Sequence, residues 1–109
     1  MKYRNRPCEV GGEKYRSQKE LRRHRELLLL QREGLIAGLT REVPFVLAPG
    51  VKIDGEKRAR PAIRYVVDFL YSTQLGVMVH EDAKGMQTRV YRLKKHLMKT
   101  VHGIDVKEV

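Results

Sequence analysis

Hydrophobic positions recur along this chain with two different periods, and the changes of period mark out its elements. Ile63, Tyr65, Val67, Phe69 and Tyr71 fall on every second residue, the spacing of a strand with one buried face. Before them, Leu21, Leu27, Leu28 and Leu30 give an apolar side to a predicted helix. Its start is written in Ser17-Gln18-Lys19-Glu20, a capping box, and Gly34 stands where a glycine ends it. A second helix is predicted after Thr88, with Val90, Leu93, Leu97, Met98 and Val101 on one face and Gly103 as its stop. Arg89, Arg92, Lys95 and Lys99 then lie mainly elsewhere around it.

Three shorter segments complete the pattern. Leu39 to Leu47 reads as a first core strand, with Pro44 marking an edge position or a bulge. Asp54-Gly55 is a turn signal inside a basic loop from Lys52 to Arg60. Gly76 precedes a strand from Val77 to Lys84, and Ile104 to Val109 is the last. Ahead of everything, residues 2–16 predict a basic arm and a small hairpin, in which Cys8, Val10 and Tyr15 flank Gly11-Gly12. The expected layout is an arm and hairpin over 1–16 and one α/β (α+β) domain over 17–109, its core ordered α-β-β-β-α-β.

Length and composition narrow the class. A chain of 109 residues builds one core, not two, and 41% hydrophobic residues suit a folded domain. Lys and Arg number 23 against 13 acids, a net charge of +10, which points to a polyanionic partner. A membrane is the weaker candidate: the apolar runs Leu27–Leu30 and Tyr65–Val67 are far too short to span one. The amino terminus has no apolar stretch behind its charges, so no signal peptide is expected, and a cytoplasmic location follows. Cys8 is the sole cysteine, which excludes an internal disulfide and a cysteine-built zinc site.

The candidate chemistry lies in the strands. Residues two apart on a strand share a face, so Asp82 and Lys84 point the same way, and Asp68 is placed beside them from the preceding strand. Two neighbouring carboxylates repel, and a divalent cation relieves that repulsion; Mg²⁺, which prefers few carboxylates and several waters, suits such a pair. An ammonium at Lys84 is suited to orient an attacking water or to neutralise charge growing on phosphate oxygens. Asp68 interrupts a stretch of Val, Tyr and Phe, where an unpaired carboxylate would be costly. Glu81 is expected to point away from Asp82 and to form a salt bridge. His24, His80, His96 and His102 have no metal-ligand spacing and read as bystanders.

Asp68, thirteen intervening residues, then Asp82-Ala83-Lys84, following a helix that bears Glu20, resembles the PD-(D/E)XK nuclease superfamily. More closely, the chain resembles a family of small phage and prophage proteins. The matching pieces are Ser17-Gln18-Lys19-Glu20, Tyr65-Val66-Val67-Asp68-Phe69, Glu81-Asp82-Ala83-Lys84-Gly85, and Thr88 with Tyr91-Arg92-Leu93-Lys94. Val67 stands where the superfamily's name has proline. The resemblance implies a mixed central sheet flanked by helices and a Mg²⁺- or Mn²⁺-dependent DNA endonuclease. Asp68, Asp82, the carbonyl of Ala83 and Glu20 are implied as metal ligands, and Lys84 as the catalytic lysine. It also implies a phage protein acting in the host cytoplasm on branched DNA, in the manner of Holliday-junction resolvases.

Glu20 carries a second explanation, since the fourth residue of a capping box reaches back to the backbone of Ser17. Phosphate contacts are expected from Lys52, Lys57, Arg58, Arg60, Arg89, Arg92 and Lys95, and from an arm bearing Lys2, Arg4 and Arg6. Cutting two strands needs two active sites, which a homodimer supplies. The competing expectations are a non-catalytic nucleic-acid-binding accessory protein that retains the nuclease fold, and a basic scaffold for RNA or a phage protein.

Overall fold

The computed structural model describes residues 6–83 and 87–109. Lys2, Arg4 and Lys84 therefore lie outside the described residues. The hairpin forms as its glycines predict: β1 (Cys8–Val10) pairs with β2 (Glu13–Tyr15) across Gly11 and Gly12, whose φ values of 59° and 84° only a glycine pair adopts without strain. Helix α1 (Gln18–Arg32) starts at Ser17, whose Oγ accepts the N–H of Glu20 at 3.1 Å. Gly34, with φ 80°, turns the chain out of it.

Four strands build the main sheet: β3 (Ile36–Ala48), β4 (Ile63–Thr73), β5 (Met78–Asp82) and, after helix α2 (Arg89–His102), β6 (Val106–Glu108). Their order is β3-β4-β5-β6, antiparallel except for the β5–β6 pair. A parallel pair needs a crossover, and α2 is that crossover. The chain is thus α+β with a mixed sheet. β3 begins at Ile36, three residues ahead of the expected Leu39, because a register shift near Gly38 (φ 68°) absorbs the irregularity instead of ending the strand. Pro44 sits on this edge strand, where its missing N–H is harmless. The strand expected over Val77–Lys84 is assigned only from Met78 to Asp82.

Two apolar clusters hold the helices on the sheet. Leu27 of α1 packs with Ile36, Phe69 and Tyr71, while Met98 and Tyr91 of α2 pack with Leu47, Tyr65, Val67 and Val106. Burying a side chain such as Leu27 or Met98 stabilises the fold by roughly 2–3 kcal/mol. Strand β4 serves both clusters and changes from one to the other between Val67 and Phe69. There its alternation lapses: Val67, Asp68 and Phe69 are buried in succession. Opposite, Glu42 falls between the pairs Arg41↔Phe69 and Val43↔Val67 and has a positive φ of 53°. Asp68 is therefore placed where two cores meet and the ribbon is distorted.

Helix α2 buries part of its expected face, with Met98 in the core and Leu97 packed against it. Tyr91 and Met98 are buried, whereas Val90, Leu93 and Val101 are exposed, Leu93 by 59%. The crossing over the sheet rotates the buried side about Met98, taking in Tyr91 in place of Val90 and Leu93. No helix among the described residues is long and apolar enough to cross a membrane.

Candidate active site

Strands β4 and β5 are paired by backbone up to Phe69↔Glu81. One residue further, side chains continue the interaction. The Asp68 N–H donates to Asp82 Oδ1 at 2.9 Å, and the Ala83 N–H donates to Asp68 Oδ2 at 2.8 Å. Each aspartate thus accepts a main-chain N–H of the opposite segment, which locks both carboxylates side by side. Asp82 is 0% and Asp68 3% exposed. Tyr65 donates its hydroxyl to Asp82 Oδ2, and burial followed by that carboxylate pushes the phenol well above its ordinary range. Tyr65 therefore stays protonated and acts as a fixed donor. The other oxygen of Asp68 lies 3.7 Å from the guanidinium of Arg16, an ion-pair distance.

Glu81 faces away from this pair, as its neighbour's orientation predicts. It is completely buried and forms a two-pronged ion pair with Arg23, Nε to Oε1 at 2.8 Å and Nη2 to Oε2 at 2.7 Å, while Tyr71 donates its hydroxyl to Oε2. Burial pushes the Glu81 carboxyl up, but the bonds from Arg23 and Tyr71 outweigh it and leave the acid below its usual range. The Tyr71 phenol is raised to about 12, by burial and by Glu81. This clamp ties α1 to β5 immediately beside Asp82.

Glu20 is held by two arginine residues. Its Oε1 accepts the N–H of Arg16 at 2.9 Å, one residue before the helix cap and not that of Ser17, because the chain turns into the hairpin there. Its Oε2 binds Arg41 at 3.1 Å. Arg41 also reaches Glu13 and the carbonyl of Lys14 and lies over the Tyr15 ring, 4.2 Å from its centroid, so it fastens the hairpin to the sheet. Arg16 links Glu20 to Asp68, its N–H on the one and its guanidinium facing the other. Among the described residues no three acids, histidines or cysteines converge as a metal-ligand set.

The cationic positions are distributed unevenly. Arg6, Lys52, Lys57, Arg58, Arg89 and Arg92 are exposed. Arg60 is tied to Glu56, at 2.6 Å and 3.0 Å, which compensates its charge within the loop between β3 and β4. Lys95 is half-buried against Glu108 at 3.0 Å, where the Tyr91 hydroxyl also donates, so its charge is largely spent inside the fold. His80 packs edge-on against Phe45, and burial lowers its pKa. The site residues not anticipated from sequence are Tyr65, Arg16 and Arg41. Tyr65 was hidden in the strand's alternation as ordinary core, Arg16 precedes the capping box unmarked, and only an arginine inside a strand pattern signalled Arg41.

A mixed α+β domain with a buried aspartate pair just past the last β4–β5 backbone pair defines the general class. Residues 1–108 match the model of a family described as "Protein of unknown function (DUF1064)", and the chain belongs to that family. No curated protein and no solved structure matches it.

Proposed function

We propose that this protein is a metal-dependent DNA endonuclease that hydrolyses phosphodiester bonds, with Asp68, Asp82 and Lys84 at its active site. The observation that carries the reading is the interlocked pair of buried carboxylates, held by main-chain N–H groups and facing a guanidinium. Backbone donors of this kind fix carboxylates in direction. Their donor set, hard carboxylate oxygens at a position that already accepts a cation from Arg16, fits Mg²⁺ or Mn²⁺. Asp68 and Asp82 would hold the ion, with the Ala83 carbonyl beside them. When bound, the ion supplies positive charge against the charge that develops on the phosphate oxygens.

The chain's own groups do the rest. Tyr65 and the Asp68 N–H orient Asp82, and the Ala83 N–H orients Asp68. The segment bearing Ala83 leads directly to Lys84, whose ammonium orients the attacking water. The +10 charge draws the DNA backbone in and favours recognition by shape over base readout. Branched DNA as the substrate, a two-fold homodimer as the working form and a phage role in the host cytoplasm rest on the superfamily resemblance.

A second reading, a non-catalytic nucleic-acid-binding protein on the same fold, is favoured by one observation: Glu20 is committed to Arg16 and Arg41. The two are separated by incubating the protein with linear, flapped and four-way-junction DNA in Mg²⁺, Mn²⁺ or EDTA. The nuclease reading expects metal-dependent products that Asp82→Ala abolishes. DNA that is bound but uncut in every metal, or cut equally by Asp82→Ala, sinks it.

A further inference from the structure

Beside the aspartate pair the surface opens into a cleft of about 320 Å³, between the start of α2, the amino-terminal end of β4 and the residue that precedes Ser17. Arg16, Arg64, Tyr65, Thr88, Tyr91 and Lys94 line it, and among the described residues no acid does. Two of its walls touch the carboxylates directly: Tyr65 donates to Asp82, and Arg16 faces Asp68. The cleft is therefore continuous with the candidate site. Its size is at the lower end for small-ligand sites, enough for a phosphate and its sugar but not for a large organic ligand.

Charge singles this cleft out. A second depression, lined by Arg92, Lys95, Lys99 and Asp105 among others, includes an acid and has two of its cations spent: Lys95 pairs with Glu108 and Lys99 with Asp105, leaving Arg92. A third is lined by Lys19, Arg22, Arg23 and the acid Glu26, with Arg23 committed to Glu81 and Glu26, and it touches neither aspartate. Arg64 and Lys94, by contrast, make no salt bridge among the described residues. Two uncompensated cations facing one cleft repel each other, and an anion between them removes that repulsion. Arg16 adds a third charge, engaged with Asp68 only at 3.7 Å and with its side chain 55% exposed, so it can turn toward an anion at little cost.

We infer that this cleft seats a phosphate of the DNA strand being cut, with Arg64 and Lys94 as its cationic contacts and Arg16 shared between that phosphate and Asp68. The inference rests on the nuclease reading and assigns the substrate path to it. The strand runs along the start of α2 and across the end of β4, which brings the neighbouring phosphodiester over Asp68 and Asp82. Tyr65 and Tyr91, their hydroxyls already held by Asp82 and Glu108, form a rigid wall that keeps the strand from settling deeper.

The test is a binding titration in EDTA, where no cleavage is needed, following the anisotropy of a fluorescein-labelled duplex over a salt series. Arg64→Gln/Lys94→Gln is compared with Arg25→Gln/Arg32→Gln, which removes the same charge from exposed positions of α1; melting curves verify that both remain folded. Loss of two phosphate contacts is expected to weaken binding about tenfold and to reduce the salt slope by about 1.8, against less than about twofold for the α1 control. Arg64→Lys/Lys94→Arg, which keeps both charges, is expected to bind as the parent does. Equal losses in both charge-removed proteins, or parental binding by Arg64→Gln/Lys94→Gln, overturn the seat. A parent that binds through these residues but cuts nothing leaves the seat standing and removes the nuclease reading. A parent that cuts, together with an Arg64→Gln/Lys94→Gln protein that cuts and binds equally well, does the reverse. A parent that does not bind overturns both.

Discussion

Replacing Arg23 with methionine tests whether the clamp beside Asp82 holds α1 against β5. The substitution keeps most of the aliphatic volume but leaves Glu81, which is 0% exposed, with only the Tyr71 hydroxyl. Breaking a buried pair from one side costs about 3–5 kcal/mol. Arg23 is 22% exposed, so water reaches its side of the gap and lowers the expected loss to just below that range, about 2–3 kcal/mol. In a domain of this size that lowers the melting temperature by roughly 10 °C. The pH dependence carries a sign that a packing defect would not show. In the parent, Glu81 lies below its ordinary value of 4.5, so its stabilisation is present above 4.5 and is lost only as acid reaches the lower folded value. Without Arg23, burial dominates and raises the carboxyl above 4.5, so the penalty is full at pH 7 and shrinks toward pH 5. Adding Glu81→Gln removes the stranded charge while keeping an acceptor for Tyr71, and the double variant should recover part of the loss. Urea unfolding at pH 7 and pH 5 measures all three terms. A loss under 1 kcal/mol, a penalty that does not shrink at pH 5, or a double variant no better than Arg23→Met would refute the reasoning.

Three further outcomes are expected. Tyr65→Phe removes the fixed donor to Asp82 and should slow cleavage roughly 10- to 100-fold while leaving DNA affinity in EDTA unchanged; a loss of affinity instead would assign Tyr65 to substrate contact. His24 accepts or donates at 2.6 Å with the Tyr15 hydroxyl and is held below its ordinary value of 6.5 by burial and by Arg41, and burial likewise lowers His80. The unfolded chain therefore takes up protons first, and stability should be full above pH 6.5 and decline as pH falls below it; a stability profile flat from pH 7.5 to pH 5.5 would contradict this. Met98→Ala, at the centre of the α2 cluster, should cost about 2–5 kcal/mol, whereas Leu93→Ala should change stability by less than about 0.5 kcal/mol; reversed values in urea unfolding would show that the wrong side of α2 is buried.

What could be read from the chain alone was everything governed by neighbours in sequence. Ser17 and Thr88 cap their helices as their positions imply, with Oγ and Oγ1 accepting the N–H three residues on, at 3.1 Å and 3.0 Å. Gly103 ends α2 at φ 72°, Gly11-Gly12 turns the hairpin, and the two-residue alternation from Ile63 to Tyr71 is β4. Asp68 and Asp82 were recognisable as acids set among apolar strands. The rest needed the third dimension, because it depends on groups far apart in sequence. Whether Tyr91 or Leu93 joins Met98 in the core is decided by how α2 crosses the sheet. Glu20 suits a cap and a metal equally by sequence, and its bond to Arg41 from β3, twenty-one residues on, has no local signal. The reciprocal bonds of the aspartates exist because β4 and β5 part at that point, and the uncompensated charge of the neighbouring cleft is set by which cations find acids nearby: Lys95 and Arg60 do, Arg64 and Lys94 do not among the described residues. Local pattern determined the elements and supplied the charges, while tertiary packing decided which charges were left to act.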